Sequence, residues 1–148
     1  MSQTTIPLSG ELTADGHVLT QRVYYEDTDF SGVVYHARYL HFLERGRTDF
    51  LRLLGIDQGQ SIASDDPFVF AVHRMEIDFN APARMDDVLT IITRTEKAAG
   101  ARLQLAQELR RGEILLIAAK VTVAVLTPAG RPRRLPAGLA EKFQRPAS

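Results

Sequence analysis

The chain has 148 residues, with 18 Lys+Arg against 18 Asp+Glu, which is the length of one ordinary domain able to bury its own core. The zero formal charge argues against a protein that coats nucleic acid, because phosphate binding needs a basic surplus. Cysteine is absent, so disulfides and thiol catalysis are excluded, and no run reaches the ~18–20 apolar residues needed to cross a bilayer.

Residues 1–16 are polar, with Pro7, Gly10 and Gly16, and read as a mobile lead-in. They carry neither a basic n-region nor an apolar h-region, so they are not a signal peptide, and the expected location is cytoplasmic. Val18 to Tyr25 reads as a strand. Asp27 to Val33 is rich in turn residues. Tyr35 to Leu54 is the helix: at about 100° per residue, His36, Tyr39, Leu43, Phe50 and Leu54 share one side. Gly46 borders that side and costs about 1 kcal/mol of helix propensity against alanine. A close approach of helix to sheet would explain it. Gly55 is a helix stop.

After a polar loop, Asp57 to Asp66, the period changes to two. Val69, Ala71, Met75, Ile77 and Phe79 alternate with Phe70, Val72, Arg74, Glu76 and Asp78, and His73 interrupts the apolar face. Val88 to Thr95 is a strand, and Ala99-Gly100 belongs to a tight turn. The run around Leu103 to Leu109 alternates again, and Arg111-Gly112 turns. Ile114 to Leu126 is apolar on both faces, as in a strand central to its sheet or at a subunit interface. The short turns require antiparallel pairing. The expected fold is therefore α+β, one long helix against a five-stranded antiparallel sheet. The domain should run over residues 17–136, with a tail at 137–148.

The chemistry concentrates in YEDTDFSGVVYH, residues 25–36. An acid before a helix by default caps it or makes an Asx turn. Here there are two acids, and Asp29 stands several residues before the helix with Gly32 between them. Gly32 gives the chain a bend by which the acid can face the helix end. A helix N-terminus offers unpaired N–H groups that attract anions, including the oxyanion of an acyl-transfer intermediate. Asp29 is the chemical candidate, as base or nucleophile, and Asp27 shapes the turn. His36 is either a helix-start histidine bonded locally or a group that orients substrate. Tyr25 by default buries its hydroxyl in packing. Glu44 and Arg47, at i,i+3, read as a surface ion pair or, since they flank the apolar stripe, as groups at the edge of a site. His36 and His41 fall on different helix faces, so no zinc pair is expected. Arg131, Arg133 and Arg134 form a basic cluster, either a solvated tail or a phosphate contact.

The stretch VYYEDTDFSGVVYHARYLHFLERGR resembles the signature of the 4-hydroxybenzoyl-CoA thioesterase family of hotdog-fold proteins, nearest to its YbgC-type, Tol–Pal-associated branch. FVFAVHRMEIDFNAPARMDDVLTI and GRPRRLP resemble two further blocks of that branch, so the likeness spans roughly residues 20–136. The resemblance implies a curved antiparallel sheet wrapped around a central helix, in homodimers joined edge to edge and commonly paired into homotetramers. It implies hydrolysis of acyl-CoA to a free acid and coenzyme A. No metal or cofactor is expected, since coenzyme A is part of the substrate. The catalytic carboxylate falls on Asp29, the aromatic before the motif on Tyr25, and the histidine on His36, whose backbone N–H would polarise the carbonyl. Gly32, Val34, Tyr35, Arg131 and Arg133 are expected to contact substrate. Phe30-Ser31 depart from the usual small residue, Gly46 from a common alanine and His73 from a usual aliphatic. Two rivals stand beside this reading: an acyl-thioester dehydratase, and a module that binds acyl carrier protein through the Arg131–Arg134 cluster with little turnover.

Overall fold

The computed structural model describes residues 10–56 and 63–144. Much of the expected mobile lead-in, part of the Asp57–Asp66 loop and the last four tail residues lie outside them. The elements are β1 (Glu11–Thr13), β2 (Gly16–Arg22), α1 (Arg38–Leu53), β3 (Val69–Phe79), β4 (Val88–Ala99), β5 (Arg102–Arg111), β6 (Ile114–Leu126) and α2 (Leu139–Gln144). All pair antiparallel in one sheet, in the order β1-β2-β4-β5-β6-β3.

The sheet has six strands where the sequence suggests five. The added strand comes from the expected lead-in: Glu11–Thr13 folds back on Gly16–Val18. That segment is too short and polar for a period-two signal. The expected tail likewise contributes α2, whose Leu139 and Phe143 are buried. Helix α1 begins at Arg38, three residues later than its pattern suggests, because Tyr35 to Ala37 form a separate turn in which the Arg38 N–H donates to Tyr35 O (2.8 Å).

The apolar side of α1 lies on the concave face of the sheet. Tyr39, Phe42 and Leu43 pack with Leu89, Ile91, Leu109 and Ile117, all buried. Further along, Phe50 and Leu51 join Leu103, Leu105, Val121 and Val123, closed off by Leu139 and Phe143. Strand β6 is interior to the sheet, between β5 and β3, as its two apolar faces require.

Strand β3 departs from its expected facing. A bulge at His73 shifts the register against β6 between Val72 and Arg74. One extra residue reverses which side chains face inward. Phe70 therefore joins Met75 on the core side, whereas strict alternation pairs Met75 with Val69 and Ala71.

Gly46 marks the close approach of helix to sheet. A Cβ there would stand 2.7 Å from Ile91 Cγ2, 3.1 Å from Thr93 Oγ1 and 3.3 Å from Gln107 Nε2. The Ile91 methyl is β-branched and buried, so it has little room to yield. Gly46→Ala therefore gains about 1 kcal/mol of helix propensity but meets an overpacking penalty of roughly 1–3 kcal/mol. A net loss of stability is expected on urea unfolding. The loss should shrink when Ile91→Ala is present in the same chain; equal losses in both backgrounds would show that the contact is not the cause.

Candidate active site

The acidic stretch folds as a small ladder ahead of α1. A 3₁₀ turn over Tyr25–Asp27 leads into a bridge between Thr28 and Val34. The Asp29 N–H donates to Val33 O (2.9 Å) and the Gly32 N–H to Asp29 O (3.0 Å). Gly32 has φ +82°, a left-handed conformation that glycine adopts without a Cβ penalty. A side chain there would meet nothing within 4 Å, so conformation and not space calls for glycine.

The two acids take different roles. Asp27 is buried, with Oδ2 accepting from the Tyr24 N–H (2.8 Å) and Oδ1 paired with Arg38 Nε (3.0 Å). It fastens the turn to the first residue of α1, as the sequence suggests. Asp29 is exposed. Its Oδ1 accepts from Ser31 Oγ (2.6 Å) and from the Ser31 N–H (2.8 Å). The Ser31 hydroxyl, then the Ser31 N–H, hold the carboxyl below its ordinary value of 3.8 against slight desolvation. Asp29 is thus an ionised, accessible carboxylate, suited to a base or nucleophile and unsuited to a general acid.

The helix start is left open. Ala37 stands at the N-cap without a side-chain cap. The Tyr35 N–H donates to Asp27 O (3.0 Å) and the Arg38 N–H to Tyr35 O, but the N–H groups of His36 and Ala37 have no partner among the described residues. These are the donors that a helix N-terminus presents to an anion. The His36 ring is exposed and lies against Tyr35, centroids 4.5 Å apart. It precedes the helix and does not open its inner face, contrary to the wheel.

Other expected site residues are placed less simply. Tyr25 is 81 % exposed, so its default reading as buried packing is overturned; the 3₁₀ turn points it outward. Tyr35 is exposed beside the ladder. Val34 is 4 % exposed and belongs to the core, with its N–H bonded to Ala83 O (2.8 Å). Its side chain holds the ladder down and is not open to a substrate. Arg133 is engaged by Asp66, through Nη1–Oδ1 (2.7 Å) and Nη2–Oδ2 (3.0 Å), and lies over the Phe68 ring. Arg131 is exposed and its side chain has no partner among the described residues.

Two buried polar groups escape the sequence reading. His17 of β2 and Asp49 of α1 are 0 % and 6 % exposed, with Nε2 and Oδ2 2.6 Å apart. The Gly10 N–H donates to the same Oδ2 (2.8 Å). A histidine paired with a helix carboxylate is also the dehydratase layout, but this pair is sealed from solvent and joins the first two strands to the helix. Gln107 of β5 is fully enclosed, its Nε2 donating to Leu43 O and Thr93 Oγ1 (2.9 Å each) and its Oε1 accepting from Arg47 Nη1 (3.0 Å). The signal for Asp49 was available: a carboxylate next to Phe50 on the covered arc of the helix needs a partner.

A cavity of about 660 Å³ lies beside the β1–β2 turn against Phe50, Leu54 and Phe143. It contains none of the motif residues, and the chemistry argues for the exposed ladder over this volume. No three His, Asp or Glu side chains cluster as a metal site among the described residues. No helix among them is long and apolar enough to cross a membrane.

One antiparallel sheet packed on one long helix is the architecture of the hotdog-fold thioesterases to which the chain is similar. The thioesterase superfamily model matches residues 31–118, so the chain belongs to that superfamily and is a thioester hydrolase. It is similar to the acyl-CoA thioesterase YbgC of Haemophilus influenzae, at 44 % identity over 74 % of this chain and 80 % of that one. It is also similar to the acyl-CoA thioester hydrolase YbgC of Escherichia coli O6:H1, at 41 % over 83 % and 92 %. Among solved structures, a probable thioesterase from Bartonella henselae aligns at 48 % identity and TM-score 0.78, over 81 % of this chain and 98 % of that one.

Proposed function

We propose that this enzyme hydrolyses acyl-CoA thioesters, with Asp29 as general base on water or as nucleophile. The observation that carries the mechanism is the pair of free N–H groups, on His36 and Ala37, at a helix start without a side-chain cap. An acyl carbonyl placed there gains two donors that strengthen as its oxygen takes on charge. The base route delivers water to the carbonyl carbon with the proton passing to Asp29. The nucleophile route forms a mixed anhydride that water then opens. Tyr25 and the His36 ring, both exposed on the same ladder, position the acyl group or the water. Relatives named as acyl-CoA thioesterases support the substrate class.

The site residues lie on open surface, and the sheet leaves one long edge free. Strand β3 spans 11 residues and, among the described residues, pairs only with β6. An unpaired edge of that length is a template for a second chain. A homodimer joined at β3 would give the exposed ladder a wall, and a homotetramer would be built from two such dimers. The exposed Arg131 is a contact for a coenzyme A phosphate or for an acidic acyl carrier protein; Arg133, held by Asp66, serves the fold.

The test is thiol release from short, long and aromatic acyl-CoAs. No release from any of them would end the proposal, and enoyl product from a 3-hydroxyacyl thioester would favour the dehydratase. The pH profile adds a signed prediction. The folded-state pKa of Asp29 is lowered from 3.8, so its charge is present throughout the neutral range and is lost only as pH falls through the lower, folded value. The rate constant kcat/KM should therefore show no acid limb between roughly pH 5 and 7. A limb near neutrality would point to a histidine base instead.

A further inference from the structure

A second cavity, of about 240 Å³, lies between α1 and the sheet, with Leu51, Phe70, Val72, Leu105 and Val123 as apolar walls, Arg47 as its cation and Glu44, exposed and not ion-paired with Arg47 among the described residues, also in its lining. The facing is set by the His73 bulge, which turns Phe70 and Val72 inward. Val72 is 48 % exposed, so in the single chain the cavity opens beside the edge of β3, and a dimer joined at that edge would border its mouth.

Arg47 is not the surface ion pair that its spacing from Glu44 suggests. No carboxylate forms an ion pair with it among the described residues. Burial pushes its guanidinium below the usual range, and Glu44 offsets that only in part. One guanidinium N–H is used on Gln107 Oε1, out of five that arginine carries. The other guanidinium nitrogens have no protein acceptor among the described residues and are not sealed from solvent. A desolvated cation with free donors beside an apolar wall is complementary to a carboxylate on an apolar body. The volume equals that of about eight waters, which suits a medium-chain or single-ring acid.

We propose that this cavity binds the carboxylate of a small, largely apolar acid through Arg47. Two sources share that chemistry: a free carboxylic acid, such as the product of hydrolysis, or the far carboxylate of a dicarboxylic acyl thioester. The second source rests on the acyl-CoA reading above; the first does not.

Calorimetric titration of the intact protein with octanoate, and kcat/KM for suberoyl-CoA against octanoyl-CoA, separate them. Each is measured in wild type, Arg47→Met and Val72→Trp, the last filling the mouth while leaving Arg47 and Gln107 in place. Saturable octanoate binding weakened at least roughly tenfold in both variants supports a free-acid site. A suberoyl preference lost in both supports a substrate-tail site. Octanoate binding and chain preference that are absent in wild type, or unchanged in the variants, overturn the proposal. Should Arg47→Met fail to fold by circular dichroism, Val72→Trp alone decides. If no acyl-CoA is turned over, the octanoate titration still reads the cavity, so the two readings fail separately.

Discussion

Asp29→Asn is expected to lower kcat/KM for acyl-CoA hydrolysis by at least about a hundred- to a thousand-fold, while the melting midpoint stays where it is. The rate argument is chemical. The amide can neither take a proton from water nor attack a carbonyl at neutral pH, so only the helix-end donors remain, and one such donor is worth on the order of a hundred- to a thousand-fold by itself. The stability argument is geometric. Asp29 is exposed and its Oδ1 accepts from Ser31. An asparagine carbonyl oxygen can accept the same two bonds, and the turn with Gly32 at φ +82° does not depend on the charge. Asp29→Glu keeps a carboxylate but displaces it by one methylene, so it should lie between wild type and Asn. Thiol release with several acyl-CoAs, beside thermal unfolding of each variant, reads both effects. Near-full activity in Asp29→Asn would remove the acid from the mechanism. Lost activity with lost folding would place Asp29 in the scaffold instead.

That site was legible because its information is local. The two acids, the glycine and the helix start lie within a dozen residues, and the roles proposed for them follow from turn chemistry and the free N–H groups of a helix end. The strands of the second half were equally legible, since Ile114 to Leu126 and its neighbours carry strong alternation or unbroken apolar runs. What failed depends on partners distant in sequence. The period of β3 looked continuous around His73, but the bulge there is a property of its pairing with β6, and it reverses the faces of Phe70 and Val72. Nothing in Glu11–Thr13 announces a strand; β2 makes it one by pairing with it. Val34 sits inside a functional motif yet faces the core, because Ala83 captures its N–H. Arg133 lies in a basic cluster yet is satisfied by Asp66, 67 residues away in sequence. Spacing from Glu44 described Arg47 as a surface residue, whereas Gln107, 60 residues on, draws it inward.

Asp49→Ala should produce the largest loss of stability, and it touches no residue of the proposed reaction. Asp49 Oδ2 receives both His17 Nε2 at 2.6 Å and the Gly10 N–H at 2.8 Å. One carboxylate oxygen therefore binds two points of the N-terminal hairpin to the middle of α1. Its removal leaves His17 enclosed at 0 % exposure with Nε2 unpartnered, in addition to Nδ1, which already has no partner among the described residues. Leaving a buried polar group unpartnered in this way costs about 1–3 kcal/mol, a sizeable share of the roughly 5–15 kcal/mol that holds an ordinary domain folded. The double variant His17→Leu/Asp49→Leu separates the pair's worth from the penalty of an orphan. Leucine at both positions removes every buried polar atom of the pair beside Phe50, whose ring lies 5.8 Å from that of His17. If the penalty comes from the orphaned partner, the double variant should be clearly more stable than Asp49→Ala, as measured by urea unfolding. The Gly10 N–H stays unpaired in both, so β1 should remain loosened even where the core recovers. Amide hydrogen exchange reads that directly, with faster exchange over Gly10 to Thr13 and unchanged protection in β5 and β6. Uniform loss of protection across the sheet would instead make the pair part of the cooperative core and not a clasp for its first two strands.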